Sequence, residues 1–234
     1  MQCVILAAGE GVRMRPLTLK TPKPMLKIHG KPLLEYLLES LPKEIDDIII
    51  VVGYLGDQIK KHFGGNFQGK KIRYVVQKKK LGTWKALKLC KPFLGKGNFL
   101  LIYADDLHSP LSLERCIKKG SLCILLERVP NPERFGVVAL NKDGSVAEIE
   151  EKPKHPKSNL ISCGPYVLNE KIFDYPPKKH ENGEYYIPES VSQMAKDYKV
   201  YGVESDWWLP IGYPEDLKKA EKFLTKNKAS LHSK

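Results

Sequence analysis

Apolar runs rich in β-branched residues alternate with segments of helical spacing through the first half of the chain. The runs cover residues 2–6, 48–52, 72–76, 99–103 and 122–126, and the helical spacing covers residues 33–41, 55–63, 84–89 and 111–119. Strands that alternate with helices indicate βαβ units. We therefore predict an α/β fold with a mostly parallel sheet and helices on both of its faces.

The second half of the chain has a different pattern, rich in predicted strands. Residues 137–140 and 145–150 flank an Asn-Lys-Asp-Gly turn, which predicts a hairpin. Residues 161–168 predict a further strand, and residues 188–197 and 214–224 predict helices. We interpret this half as a β-rich, substrate-side elaboration of a Rossmann-like sheet. One domain is expected over residues 1–225, followed by a frayed basic tail over 226–234.

The carboxyl ends of parallel strands form the edge at which ligands bind in such sheets. The loops that follow Leu6, Val52, Val76 and Tyr103 meet at this edge. We expect the chemistry of the protein to lie there.

Charge narrows the classes of partner. The 234 residues carry a formal net charge of +12, which favours anionic partners such as phosphates, nucleic acid or anionic lipid. The lysines are spread along the chain and their clusters carry few interleaved aromatic residues, so a solvated basic surface explains most of the excess. A nucleic-acid partner rests on charge alone and is the weakest reading.

Several observations indicate a reducing, non-membrane location. No stretch approaches the roughly 18 apolar residues that a membrane helix needs, and the start lacks the basic region of a signal peptide. The five cysteines are widely spaced, without a Cys-x-x-Cys pair, which predicts buried reduced thiols. We expect a cytoplasmic protein.

The loop after the first strand is suited to phosphate. Gly9 and Gly11 let the backbone approach an anion closely, while Arg13 and Lys23 supply positive charge. A dinucleotide fingerprint needs a third glycine where the chain has Met14, and no Gly-Lys-Ser/Thr follows in this loop. P-loop spacing recurs at residues 64–71, but the segment follows a predicted helix, so we interpret it as a turn.

Residues 6–18 and 22–25 resemble the nucleotide-binding signature of the sugar-1-phosphate nucleotidyltransferases. That signature reads Leu-Ala-Ala-Gly-x-Gly-Thr-Arg-x-x-Pro-Leu-Thr, then Pro-Lys-x-Met/Leu, and Val12 replaces its first Thr. The resemblance implies the nucleotide-diphospho-sugar transferase fold. It also implies transfer of a nucleoside monophosphate from an NTP to a sugar 1-phosphate, with release of pyrophosphate.

The resemblance continues to about residue 224 and implies a role for each matching position. It implies that Arg13, Lys23 and Lys152 are catalytic and that Asp105 binds Mg²⁺. The nucleotide is held by Leu6, Ala8, Gly9, Gly11, Gln77 and Gly82, and the sugar by Gly136, Glu151, Asn159 and Gly164.

One departure affects the metal. Residues 208–217 resemble the family's Trp-x-Asp-x-Gly-Thr-Pro-Glu-Asp-Leu, whose Asp is a second Mg²⁺ ligand, but Pro210 stands in its place. Either water or a nearby acid, Asp106 or Asp206, completes the coordination, or metal binding is weakened.

Three alternatives stay open. The acceptor is phosphocholine instead of a sugar 1-phosphate, or the chain is a non-catalytic relative that binds nucleotide and regulates a partner, or it binds nucleic acid. For the base of the donor nucleotide, uridine or thymidine is favoured over guanosine. No further C-terminal repeat domain is visible, so no second activity is expected, and the oligomeric state is not readable from the sequence.

Overall fold

The computed structural model describes residues 1–227. The strands are β1 (Gln2–Ala7), β2 (Lys27–Ile28), β3 (Lys31–Pro32), β4 (Asp47–Val52), β5 (Asn66–Phe67), β6 (Lys70–Val76), β7 (Phe99–Tyr103), β8 (Asp106–His108), β9 (Cys123–Arg128), β10 (Gly136–Leu140), β11 (Val146–Glu151), β12 (Leu160–Leu168), β13 (Tyr201–Glu204) and β14 (Trp208–Pro210). The helices are α1 (Leu33–Glu39), α2 (Gly56–Phe63), α3 (Thr83–Cys90), α4 (Pro110–Lys118), α5 (Ile187–Met194) and α6 (Pro214–Lys226). Residues 228–234 of the predicted frayed tail lie outside the described residues, whereas Lys226 still belongs to α6.

The predicted parallel core is confirmed. In the described part of the chain a ten-stranded sheet has the order β11-β10-β12-β7-β1-β4-β6-β5, while β9 joins it through β12, and β13 joins it through β9. Strands β7, β1, β4 and β6 pair in parallel, and crossover connections join them along the chain. The substrate-side strands β10, β11 and β12 pair antiparallel, as their hairpin pattern predicts.

Strand β12 joins the two halves of the sheet. Its second half, from Tyr166 to Leu168, pairs antiparallel with β7, while its first half pairs with β10. Its other edge pairs with β9 along most of its length, with a register shift between Ser162 and Tyr166. Strand β9 therefore runs in the same direction as β7 but is separated from it by β12.

Period-two alternation of side chains divides the core into two layers. Ile5 and Ile50 point into the layer covered by α1, α2 and α4, whereas Val4 and Ile49 point into the layer covered by α3 and α5. Both faces of the sheet are thus apolar and covered, as the α/β prediction requires.

A third apolar cluster fixes the position of α6. Met14 of the glycine loop, Leu107 of β8 and Leu224 of α6 are buried together with Ile211. This cluster links the glycine loop to the last helix.

Smaller predictions can also be checked. The segment with P-loop spacing is a turn region around the short β5–β6 hairpin, as predicted. All five cysteines are buried free thiols, as predicted. Among the described residues, no helix has the length and apolar character needed to span a membrane.

Candidate functional site

A cavity of about 540 Å³ opens at the carboxyl ends of β1, β6 and β7, where the topology predicted it. Its opposite wall is formed by β10, β11 and β12. Most predicted site residues line it: Leu6, Ala8, Gly9, Gly11, Arg13, Lys23, Gln77, Gly82, Asp105, Gly136, Glu151 and Lys152. The structure thus brings the glycine loop and the Glu151–Lys152 pair to one cavity, although these residues lie up to about 146 positions apart in the sequence.

The glycine loop is folded tightly against the Pro-Lys segment. Gly11 has a φ of 61°, and a Cβ at this position would lie 3.0 Å from the Thr18 methyl and 3.1 Å from Lys23 Cβ. The hydroxyl of Thr18 donates to the carbonyl of Gly11 at 2.8 Å. Only a glycine accommodates this conformation and this contact without strain, so the loop places Lys23 beside its own backbone.

Lys23 and Asp105 form an ion pair on the cavity wall. Lys23 Nζ lies 2.8 Å from Asp105 Oδ2, with the lysine side chain 9% exposed and the aspartate 43% exposed. Burial would raise the pKa of Asp105, but the ammonium of Lys23 outweighs it and holds that pKa below its usual range. Asp105 is therefore an anion facing the cavity.

The neighbouring carboxylate of Asp106 is turned away from the cavity. It accepts hydrogen bonds from Trp208 Nε1 at 3.0 Å and from the backbone N–H of Ile211 at 3.4 Å. Burial, and then the charge of Asp105, raise the pKa of Asp106 to about 7. Asp106 lies opposite Pro210 in the β8–β14 pair.

Asp206, the other acid expected as a substitute metal ligand, is not at the cavity. Its carboxylate accepts hydrogen bonds from Ser109, Ser112 and Arg115 at 2.9–3.1 Å. It serves to join α4 to the segment that precedes β14. This placement does not support Asp206, which was one of the alternatives that the sequence left open for completing the coordination.

The donor set fits Mg²⁺ only in part. Within residues 1–227 no group of three or more His, Cys, Asp or Glu side chains is arranged to hold a metal ion. Asp105 is a single ionised carboxylate on the cavity wall. Such a site suits Mg²⁺ that takes most of its oxygen ligands from substrate phosphates and water.

Gln77 and Gly82 lie at the other end of the cavity, after β6. Gln77 Nε2 donates to the carbonyl of Gly82 at 3.3 Å, which holds the pair together. Gly82 has a φ of 89°, and a Cβ there would lie 2.4 Å from the carbonyl oxygen of Tyr185. The glycine thus permits close packing of the loop on the substrate-side half.

Glu151 and Lys152 end β11 on the substrate side. Glu151 is 10% exposed and lies 3.5 Å from Lys152 Nζ, which also lies 4.4 Å from the ring centroid of Tyr186. Burial raises the pKa of Glu151, although the lysine partly offsets this effect. Tyr186 in turn donates to Glu184 at 2.6 Å, so Lys152 is held between an acid and an aromatic ring.

Two predicted sugar-binding residues do not line the cavity. Asn159 is exposed and accepts a hydrogen bond from Arg128 at 3.0 Å. Gly164 is buried behind the wall, where a Cβ would lie 2.9 Å from the ring of Tyr103. Gly164 therefore makes room for Tyr103 and has no open path to a ligand.

Sequence reasoning missed several residues that line the cavity: Tyr103, Arg134, Ser162, Tyr166, Glu184 and Tyr186. Tyr103 and Tyr166 pack edge to face with ring centroids 6.1 Å apart, and Ser162 donates to the Tyr166 hydroxyl at 2.9 Å. One signal existed, because Ser162, Gly164 and Tyr166 share the period of two along β12.

Comparison with known proteins identifies the family of the chain. The family model described as nucleotidyl transferase matches residues 2–227, which is almost the whole chain. The chain belongs to the nucleotidyl transferase family. The resemblance seen in the motifs is confirmed, and so is the predicted fold.

Several relatives of this family are similar over nearly all of the chain. The bifunctional protein GlmU of Methanocaldococcus jannaschii is 35% identical over 96% of the chain, which spans only 54% of that relative. The UTP–glucose-1-phosphate uridylyltransferase AglF of Haloferax volcanii is 33% identical, and 96% of each protein is covered. The chain thus spans about half the length of the GlmU relatives but nearly all of AglF.

Solved structures show the same fold. A structure assigned as a glucose-1-phosphate thymidylyltransferase from Bacillus anthracis, in complex with sucrose, matches with a TM-score of 0.83 and 32% identity over 95% of this chain and 94% of that one. UDP-glucose pyrophosphorylase in complex with UDP-glucose matches with a TM-score of 0.82 at 24% identity, over 96% of this chain and 98% of that one.

Proposed function

We propose that the protein is a sugar-1-phosphate nucleotidyltransferase, which transfers NMP from an NTP to a sugar 1-phosphate and releases pyrophosphate. The observation that supports this most directly is that the glycine loop and the Glu151–Lys152 pair line one cavity from opposite sides. A phosphate loop and a hydroxyl-binding carboxylate with a lysine are then positioned for the two reactants. Uridine or thymidine nucleotides are the favoured donors, since relatives named for UTP and for thymidylyl transfer match at full length.

The reaction needs positioning and charge neutralisation more than covalent help from the protein. A phosphate oxygen of the acceptor attacks the α-phosphorus of the NTP in line, and the bond to the bridging oxygen breaks as pyrophosphate leaves. Lys152 orients the attacking phosphate, while Arg13 and Lys23 balance the negative charge on the triphosphate. The acceptor phosphate is already ionised near neutral pH, so no general base is required.

Glu151 would hold the acceptor's hydroxyl groups. Its buried carboxylate lies at the end of the cavity where Tyr103, Tyr166 and Glu184 also line the wall. Carboxylates and tyrosine hydroxyls together accept and donate the hydrogen bonds that a sugar ring offers. Phosphocholine offers no comparable set of hydroxyls, which favours the sugar 1-phosphate.

Asp105 would hold Mg²⁺, which neutralises phosphate charge and fixes the geometry of the triphosphate when bound. Lys23 lies on the same carboxylate and keeps it ionised. A cytoplasmic location is part of the proposal and is supported by the five free thiols.

Pyrophosphate release tests the proposal. The protein is incubated with each NTP, Mg²⁺ and a panel of hexose 1-phosphates and phosphocholine. Release with one sugar 1-phosphate pair supports the proposal and names both substrates. Release with phosphocholine alone would show that the acceptor is phosphocholine and not a sugar 1-phosphate. Nucleotide binding without release from any pair would favour a non-catalytic nucleotide-binding relative, the reading that Pro210 motivates.

A further inference from the structure

Some cations that line the cavity are paired with carboxylates and others are not. Three of its cations are each paired with a cavity carboxylate: Lys23 with Asp105, Lys80 with Glu10, and Lys152 with Glu151. Arg13 and Arg134 also line the cavity. In residues 1–227 neither guanidinium has a carboxylate oxygen within 4.0 Å, although Arg15, Arg73 and Arg115 each have one.

Both arginines converge instead on one aromatic ring. The guanidinium carbons of Arg13 and Arg134 lie 5.4 Å and 5.3 Å from the ring centroid of Tyr213. Arg134 Nη2 also donates a hydrogen bond to the hydroxyl of Tyr213. These distances are within the range of cation–π attraction, so the ring holds two positive charges near one another without neutralising either.

Tyr213 is itself held rigidly. The backbone N–H groups of Gly212 and Tyr213 donate to Asp216 Oδ2 at 3.0 Å and 2.9 Å, in the first turn of α6. Ile211 next to them is 1% exposed and belongs to the cluster that fixes α6. The backbone that carries the ring is therefore anchored to the start of α6.

We propose that Arg134 is a second guanidinium for the pyrophosphate part of the NTP, and that Tyr213 positions both Arg134 and Arg13 for it. The inference rests on the proposed function and adds residues that the sequence motifs did not assign. Two unpaired guanidinium groups match the several oxygens of a diphosphate. As the bond to the α-phosphorus breaks, the electron pair passes to the leaving pyrophosphate, where these two charges stabilise it.

Tyr213 lies three residues after Pro210. The family motif has Asp and Thr at these two positions, so both departures fall in one segment. The side chain at 210 offers no oxygen ligand, while the segment's tyrosine supports two arginines.

Calorimetric titration with inorganic pyrophosphate, without metal or sugar phosphate, tests the proposal directly. Arg134→Ala is expected to weaken pyrophosphate binding about tenfold, the loss typical of one hydrogen bond to a charged group. Arg134→Lys should lose less, because it keeps the charge but not the planar fork. Arg73→Ala is the matched control, since Arg73 pairs with Asp47 near the opposite edge of the sheet.

The Tyr213→Phe variant tests whether the hydroxyl of Tyr213 positions Arg134, because the aromatic ring and its packing are kept. The variant keeps the ring but loses the hydroxyl that accepts from Arg134, so pyrophosphate binding should weaken roughly threefold. In the Arg134→Ala background the same change should have no further effect, because its target is gone. Independent, multiplying effects of the two changes would overturn the positioning role.

Kinetics decide which phosphate Arg134 serves. In the active pair, Arg134→Ala should lower kcat and weaken inhibition by pyrophosphate, with the KM for the sugar phosphate unchanged. A rise confined to that KM, or no measurable binding of pyrophosphate by the wild type, would overturn the inference. Arginine-dependent pyrophosphate binding without turnover of any pair would instead refute the proposed function and leave this inference standing.

Discussion

At the scale of single residues, the Lys23–Asp105 pair is the centre of the cavity's electrostatics. The lysine is nearly buried and is held beside the glycine loop by Gly11. Because it is fixed before substrate binds, its charge needs no reorganisation during the reaction. The same lysine keeps Asp105 ionised and available to a cation.

Lys23→Met should therefore lower kcat by about 10²-fold, the loss typical of one preorganised electrostatic contact. The matched control is Lys27→Met, four residues away on an exposed position of β2. Initial rates at saturating substrates measure the effect. Equal rates for the two variants would show that Lys23 does not act on the reacting phosphates.

His108 is 4% exposed, and neither of its ring nitrogens has a hydrogen-bond partner among residues 1–227. Burial lowers the pKa of His108 to about 3. The folded state therefore binds fewer protons than the unfolded state below the unfolded pKa of about 6.5. Stability is fully present above that pKa and is lost as the pH falls towards 3.

Between pH 7.5 and pH 5.0 the wild type should lose about 2 kcal/mol of unfolding free energy through this group. His108→Phe removes the titration, so its unfolding free energy should fall by correspondingly less over the same interval. Denaturant unfolding at the two pH values measures the difference within each protein. Parallel losses in both proteins would assign the pH dependence to other groups.

At the scale of elements, the start of α3 is joined to the segment before α5 by backbone contacts. The N–H of Tyr185 donates to the carbonyl of Leu81 at 3.0 Å, and the N–H of Trp84 donates to the carbonyl of Tyr185 at 3.0 Å. Gly82 lies between these bonds with no room for a side chain. This contact links the nucleotide-side and substrate-side walls of the cavity.

The Gly82→Ala substitution should consequently lower the free energy of unfolding by more than the penalty of placing alanine at a positive φ. Gly97→Ala is the matched control, since Gly97 has a φ of 101° and nothing within 4 Å of an added Cβ. We expect roughly 1 kcal/mol for the control and about 1–3 kcal/mol more for Gly82→Ala, because the new methyl group meets backbone. Unfolding free energies of the two variants decide the point.

Long apolar runs made most elements predictable, and short paired strands did not. Strands β1, β4 and β7 were recognisable because both of their faces are buried and the runs are continuous. Strand β14 has three residues, one of which is Pro210, and forms only through β8. A strand of this kind exists because of its tertiary partner and leaves no pattern of its own.

The site residues also differ in whether local sequence or tertiary pairing brings them together. Gly11, Arg13 and Lys23 were predictable because neighbouring residues in one loop act together. Tyr103 and Tyr166 meet only through the pairing of β7 with β12, which no local spacing encodes. The placement of Gly164 against Tyr103 also depends on that tertiary pairing, because a Cβ at Gly164 would meet the Tyr103 ring at 2.9 Å.

At the scale of the whole molecule, the prediction of one domain over residues 1–225 can be tested by cooperativity. Strand β12 pairs with β7 and β9 of the first half and with β10 of the second, so neither half keeps a complete sheet alone. We expect tryptophan fluorescence and far-ultraviolet circular dichroism to report the same denaturant midpoint. Two separate midpoints would show two units that unfold independently.

The same shared strand limits how the molecule can move. Domain closure needs a hinge where few contacts cross, and here a hydrogen-bonded strand occupies that place. The two walls of the cavity therefore keep a nearly constant separation, and only loops can shut the entrance. Discrimination among acceptors should then follow from the size and shape of a gap that exists before either substrate arrives.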